Sequence, residues 1–330
     1  MSAAPIISVR DLHRDFDNVQ AVRGVSFDVA PGQVVGFIGA NGAGKTTTMR
    51  ILATLDSPSR GEAEICGHDV VSYPHRVRSK VGWMPDAYGS YNHMTVLEYL
   101  DFYGRAYGLS RAERFERMSE VMEFTDLAEL SDRPMNKLSK GMGQRLCLGR
   151  TLLHDPEVLI LDEPAAGLDP KARIEFKNVI RLLAQRGKTI FISSHILSEL
   201  GEMCDSLLFI DAGRIVHHGS AESLKQDASA KAVIDVQVAG DPEGLRQWAE
   251  LNAGVKLLEM NKRGARLAVD LDDPAALAAL LKRMIGDGLA VTDFHRESRK
   301  LEDAFVDMIK KVEPSRGLPP PLPAPNPHGL

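Results

Sequence analysis

Residues 39–46 read Gly-Ala-Asn-Gly-Ala-Gly-Lys-Thr, a complete G-x-x-x-x-G-K-[ST] pattern. The apolar run before it, residues 34–38, reads as a buried strand, and residues 47–52 read as the start of a helix. No other feature constrains the fold as tightly, because a strand must end, turn sharply through glycines and open a helix within a few residues. The glycines let successive backbone N–H groups curl around an anion, and the helix N-terminus adds partial positive charge. Such a loop cradles phosphate. Gly39, Asn41, Gly42, Gly44 and Thr47 are its candidate contacts. Lys45 would reach the β- and γ-phosphates of a nucleotide, and Thr46 would place its hydroxyl on Mg2+.

The chain of 330 residues is long enough for two domains and a sizeable core. A net charge of −5 gives no electrostatic case for a nucleic-acid partner or an anionic membrane surface. Cys66, Cys147 and Cys204 are widely spaced and show no metal-ligand pattern, which reads as a reduced, cytosolic chain with inert thiols. The N-terminus lacks a charged segment followed by an apolar one, so no signal peptide is expected. No apolar run reaches the ~18 residues of a membrane span, so none is expected either.

Residues 6–10 and 25–29 alternate apolar and polar positions, as half-buried strands do. Short strands are expected at 62–65 and 80–84, then a helical stretch from about 95 to 133. Thr95-x-x-Glu98 and Ser110-x-x-Glu113 are capping boxes, each starting a helix. Residues 158–161 and 189–193 are fully apolar or nearly so, hence central parallel strands, with a helix at 171–185 between them. Residues 207–217 read as a terminal hairpin. Alternating strands and helices with a parallel core give a doubly wound α/β domain. From about residue 232 a second pattern, βαββαβ with an added helix at 301–310, fits a small ferredoxin-like domain. Residues 313–330 are proline-rich and are expected to form a disordered tail.

Residues 158–163, Val-Leu-Ile-Leu-Asp-Glu, form an apolar strand ending in two carboxylates, a Walker B element. Asp162 would hold Mg2+, and Glu163 is the candidate general base for an attacking water. Residues 138–145, Leu-Ser-Lys-Gly-Met-Gly-Gln-Arg, open a helix just before it. Ser139 can cap that helix, whose dipole then points at an anion.

That last segment resembles the signature motif of ATP-binding cassette (ABC) ATPases. It departs from the family's Leu-Ser-Gly-Gly-Gln at Lys140 and Met142 and keeps Ser139 and Gly141, the positions that contact the γ-phosphate of a partner's ATP. The resemblance extends in order along residues 6–219. Residues 165–169 match the D-loop, with Asp169 at its end; His195 matches the switch histidine; Phe16 matches the aromatic that stacks on adenine. At the Q-loop the family's glutamine is replaced by Asp86, which can still approach Mg2+ as a full charge. Residues 301–305, Leu-Glu-Asp-Ala-Phe, look like the closing segment of ABC-2-type exporter ATPases.

The resemblance implies a P-loop NTPase of the ABC ATPase type, an α/β cassette over residues 1–225. It carries an antiparallel N-terminal β subdomain and a helical insert at about 88–150, with a small C-terminal α/β (ferredoxin-like) domain at 232–312. It implies ATP and Mg2+ as cofactors, a second copy of the chain as partner, and hydrolysis coupled to export through a separate multi-span membrane permease. The location it implies is the inner face of the cell membrane. The competing class is a soluble ABC ATPase acting on ribosomes or DNA. That class usually carries two cassettes or a long coiled coil, whereas this sequence has one signature and no sustained heptads.

Overall fold

The structure, a computed structural model, describes residues 4–223 apart from 88, 90 and 92, and residues 232–296 apart from 271 and 272. The segment at 301–310 and the tail at 313–330 lie outside the described residues. Contacts divide the chain into Met1–Ala221 and Glu222–Leu330.

In the first unit, β1 (Ile7–Phe16) and β2 (Val19–Val29) pair antiparallel. They continue through β4 (Arg60–Ile65) to β5 (His68–Asp69) in the order β2-β1-β4-β5. Both long strands outrun the short alternating segments in the sequence. The reason is a set of register shifts after Val9, Leu12 and Arg14, with Asp11 at φ 43°, which break the period of two while pairing continues.

The second sheet holds β3 (Val34–Ile38), β6 (Val81–Met84), β7 (Val158–Leu161), β8 (Thr189–Ser194), β9 (Ser206–Asp211) and β10 (Arg214–Gly219). Its order is β10-β9-β3-β8-β7-β6, parallel except for the β9–β10 hairpin. That hairpin turns through Ala212 and Gly213, both at positive φ, the twist that suits a two-residue loop. β3, β7 and β8 are buried along their whole length, which is why they read as continuous apolar runs. Phe27 of the first sheet stacks on Phe191 of the second at 5.4 Å, and Phe37 closes the group at 5.1 Å. The core between the two sheets is built around these rings.

Helices α1 (Lys45–Leu52), α2 (Pro74–Arg78), α6 (Pro170–Gln185) and α7 (Leu197–Gly201) complete the α/β pattern. The helical insert contains α3 (Val96–Ala106), α4 (Arg111–Phe124) and α5 (Lys140–Leu152). Both capping boxes form: Glu98 N donates to Thr95 Oγ1 at 3.2 Å while Thr95 N donates to Glu98 Oε2 at 2.8 Å, and Ser110 and Glu113 repeat the exchange. After α4 the chain tightens into 3-10 turns at Ala128–Leu130 and Met135–Lys137, so the expected helical stretch is two helices and a looser return. Buried Arg150 of α5 ties the insert to the sheet. It donates to the carbonyl of Trp83 on β6 at 3.0 Å and to the hydroxyl of Tyr99 on α3 at 3.3 Å. Among the described residues no helix is long and apolar enough to cross a membrane.

The second unit runs β11 (Ala232–Val238), α8 (Glu243–Leu251), β12 (Val255–Met260), β13 (Gly264–Val269), α9 (Pro274–Gly286) and β14 (Val291–Arg296). The sheet order β12-β13-β11-β14 is antiparallel throughout, the arrangement of a ferredoxin-like fold. Ile234, Val236 and Val238 point to one face and pack with Leu245, Trp248, Leu280 and Met284 of the two helices. Gly264 is required where it stands, because a Cβ there would overlap the Val236 carbonyl oxygen.

Candidate nucleotide site

Parallel strands deliver their C-terminal ends to one edge of a sheet, and loops beyond those ends form the usual ligand crevice. β3, β6, β7 and β8 end here in Gly39, Pro85-Asp86, Asp162-Glu163 and His195. The register places Leu161 beside Ile192 and Ile38 beside Ser194, so these ends are level.

The loop after β3 is held tightly from behind. A Cβ on Gly39 would collide with the Ile210 carbonyl oxygen, and one on Gly44 would lie 2.5 Å from the Ala21 carbonyl oxygen. Gly42 and Gly44 adopt φ of 80° and 107°, conformations open to glycine. Gly213 N donates to Ala43 O at 2.9 Å and pins the loop to the β9–β10 turn. α1 begins with no side-chain cap and no acid in its first turn, which leaves its positive end available to an anion. Asn41, Gly42 and Thr46 face outward and Thr47 is half-buried, while Thr48 is buried and donates to Gly44 O at 2.9 Å.

Lys45 is 5% exposed and folds back over the loop. Its Nζ donates to Gly39 O at 2.7 Å and lies 3.5 Å from Glu163 Oε1. Asp162 is 1% exposed, and its Oδ1 accepts from Ser193 Oγ at 2.7 Å. Burial raises the Asp162 carboxyl above the usual range. Hydrogen bonds from Ser193 and Thr46 pull it down, and the charges of Glu163 and Asp86 push it up again. Glu163 sits at φ 47°, a strained backbone for a non-glycine residue. Its N–H donates to Ser193 Oγ at 2.8 Å, and its Oε2 lies 2.7 Å from His195 Nδ1. Glu163 Oε1 is buried without a hydrogen bond.

Six of the residues singled out in the sequence therefore meet: Lys45, Thr46, Asp86, Asp162, Glu163 and His195. Ser193 completes the group and escaped the sequence reading. Its signal was its place at the polar end of an apolar strand. Ser139 and Gly141 stand apart: Ser139 Oγ caps α5 by accepting from Met142 N at 3.3 Å. A Cβ on Gly141 would touch Ala172 of α6 at 3.6 Å. Asp169 Oδ1 caps α6 through Ala172 N at 2.9 Å. Among the described residues no hydrogen bond or ion pair joins Ser139, Gly141 or Asp169 to the loop at 39–47. Phe16 is 41% exposed at the end of β1, with the Arg14 guanidinium 4.2 Å above its ring, so it is no core residue.

A family model described as ABC transporter matches residues 22–166. A Nod factor export ATP-binding protein I from Burkholderia lata is 37% identical over 306 residues, 93% of this chain and 97% of that protein. The chain belongs to the ABC transporter family, as an ATP-binding subunit. The ABC transporter ATP-binding protein NatA of Bacillus subtilis is 38% identical across 66% of this chain and 91% of its own length. A solved ATP-binding subunit of an ABC transporter superposes with a TM-score of 0.62 at 30% identity, covering 67% of this chain and 92% of that one. This ABC subunit thus carries an ATPase cassette fold in its first unit, and the loop, the acid pair and the histidine lie at the edge described above.

Proposed function

We propose that this chain is the ATP-hydrolysing subunit of an ABC-2-type exporter and drives a separate membrane permease by closing on a second copy of itself. The observation that carries the reading is the division of the site. Lys45, Thr46, Asp162, Glu163 and His195 converge, while Ser139 and Gly141 present a capped, 13-residue helix elsewhere on the same chain. A second copy would bring its Ser139 and Gly141 to the phosphates held at residues 39–47, so that each nucleotide is enclosed by two chains. Phe16 would stack on the adenine, and Asp169 would lie along the contact between copies.

The side chains fit a hard cation. Thr46, Asp162 and Asp86 offer oxygen donors only, and Asp162 already accepts from Thr46. Among the described residues no three His, Cys, Asp or Glu groups cluster as a metal cage. That suits Mg2+, which takes one or two carboxylates and completes its shell with substrate phosphates and water. Bound there, Mg2+ would neutralise charge developing on the phosphates. Glu163, held by Ser193 and His195, would take the proton of the attacking water.

Attachment through the permease would place the chain on the inner face of the cell membrane, with the helical insert as the docking surface. The names of the relatives, which speak of export, support this class over a soluble ATPase acting on ribosomes or DNA. Glu163→Gln tests the assignment. ATP turnover should fall at least about 100-fold while ATP-dependent dimers accumulate in sedimentation velocity. Turnover at the parent rate would sink the catalytic role.

A further inference from the structure

Two charged residues depart from the family pattern, and each stands at the edge of a different half of the site. Asp86 follows β6, is exposed, and acts electrostatically on Asp162. Lys140 opens α5 directly after Ser139 and is also exposed. Among the described residues neither makes an ion pair or side-chain hydrogen bond within its own chain. Lys140 is nonetheless placed. Gly167 lies at φ 69°, and a Cβ there would overlap the Lys140 ammonium, so the lysine stem runs over the segment that carries Asp169. Its ammonium therefore lies against Gly167, while its backbone opens α5 directly after Ser139.

We propose that Lys140 of one copy and Asp86 of the other form a charge pair across the enclosed nucleotide, so that each copy supplies the other with a positioning residue. This rests on the closed dimer proposed above and names a specific contact within it. The physical reason is charge balance. Asp86 adds one negative charge where Asp162, Glu163 and the phosphates already crowd, and Lys140 returns one positive charge from the opposite side. Uncharged residues at both positions would leave the same total. Either change alone would leave the closed site one charge out of balance.

The test uses full-length chains in the Glu163→Gln background with ATP and MgCl2, read by sedimentation velocity. One chain carries Asp86→Lys and a second carries Lys140→Asp. Alone, each must close with like charges facing, lysine on lysine or aspartate on aspartate. Mixed, each site in the hetero-dimer has one acid and one base. The expected result is ATP-dependent dimers in the mixture at a concentration about 10-fold below that needed by either chain alone. Far-UV circular dichroism and urea unfolding of the monomers check that both chains are folded. Equal dimerisation of the mixed and separate chains would overturn the pairing. If the Glu163→Gln parent itself stays monomeric with ATP, the closed-dimer reading fails first. A parent that dimerises while the mixture shows no preference isolates the failure to Lys140 and Asp86.

Discussion

Ser193→Ala is the sharpest probe of how the acid pair is held. The Ser193 side chain is fully buried; its Oγ donates to Asp162 Oδ1 at 2.7 Å and accepts from Glu163 N at 2.8 Å. Alanine removes both bonds and leaves the buried Asp162 carboxylate and the partly buried Glu163 N–H each one partner short. A buried polar group left unpaired costs about 1–3 kcal/mol, with charged groups at the upper end. The carboxylate keeps its Thr46 bond and the N–H is only partly buried, so the sum is about 2–4 kcal/mol rather than more. The Asp162 carboxyl should also rise further, because one of the two bonds that lower it is gone. Glu163 at φ 47° loses the contact that fixes its N–H, and a shift of ~1 Å in a reacting group can cost about 100-fold in rate. Urea unfolding and steady-state ATPase assays would read both effects, with kcat falling about 10- to 100-fold and ATP affinity little changed. Ser194→Ala is the control. Ser194 is also buried, but among the described residues its hydroxyl makes one bond, accepting from Ile196 N at 3.0 Å, and its loss should cost about 1 kcal/mol. A Ser193→Ala protein within about 1 kcal/mol of the parent, with kcat within about twofold, would refute the reasoning.

Two other measurements separate effects that the structure distinguishes. Gly44→Ala forces a Cβ to within 2.5 Å of the Ala21 carbonyl oxygen at φ 107°, whereas Gly42→Ala at φ 80° meets nothing within 4 Å. The first should weaken ATP binding at least about 10-fold, and the second should cost only the ~1–2 kcal/mol of a left-handed alanine; equal effects in isothermal titration would contradict the steric account. Burial pushes the Cys147 thiol up to about 11, so it stays protonated and slow to alkylate at pH 8 until the chain unfolds. The unfolded thiol ionises first, near the ordinary thiol value of 9.0, so stability should fall as pH rises from there to about 11. The slope is about 1.4 kcal/mol per pH unit for the fully exposed unfolded thiol. Cys147→Ala should flatten that slope, and an unchanged slope would assign it to other groups.

What the sequence disclosed, and what it hid, follows one division. The phosphate loop, the two capping boxes and the βαββαβ order of the second unit were legible because each is decided by residues close together in the chain. Thr95 and Glu98 need nothing but one another to start α3. Strand lengths in β1 and β2 were not legible, because pairing with β4 and across bulges carries the chain past the point where alternation stops. Nothing near Arg150 in the sequence marks it for burial; only the fold puts Trp83 O and Tyr99 against it.

Ser193 lies on the boundary between these cases. Residues 189–194 read Thr-Ile-Phe-Ile-Ser-Ser, an apolar strand whose end turns polar although its last residues remain buried. A buried hydroxyl needs a partner. Once this strand is taken as the parallel neighbour of residues 158–161, Leu161 falls beside Ile192 and the next residue on each strand is Asp162 and Ser193. The pairing of an acid with a hydroxyl then follows from that register. The same step does not reach Lys140 and Gly167, which lie on a helix start and a loop joined by no ladder. Their contact depends on the angle at which α5 meets α6, and that angle is set by packing at positions such as Gly141 and Ala172 rather than by any period in the sequence.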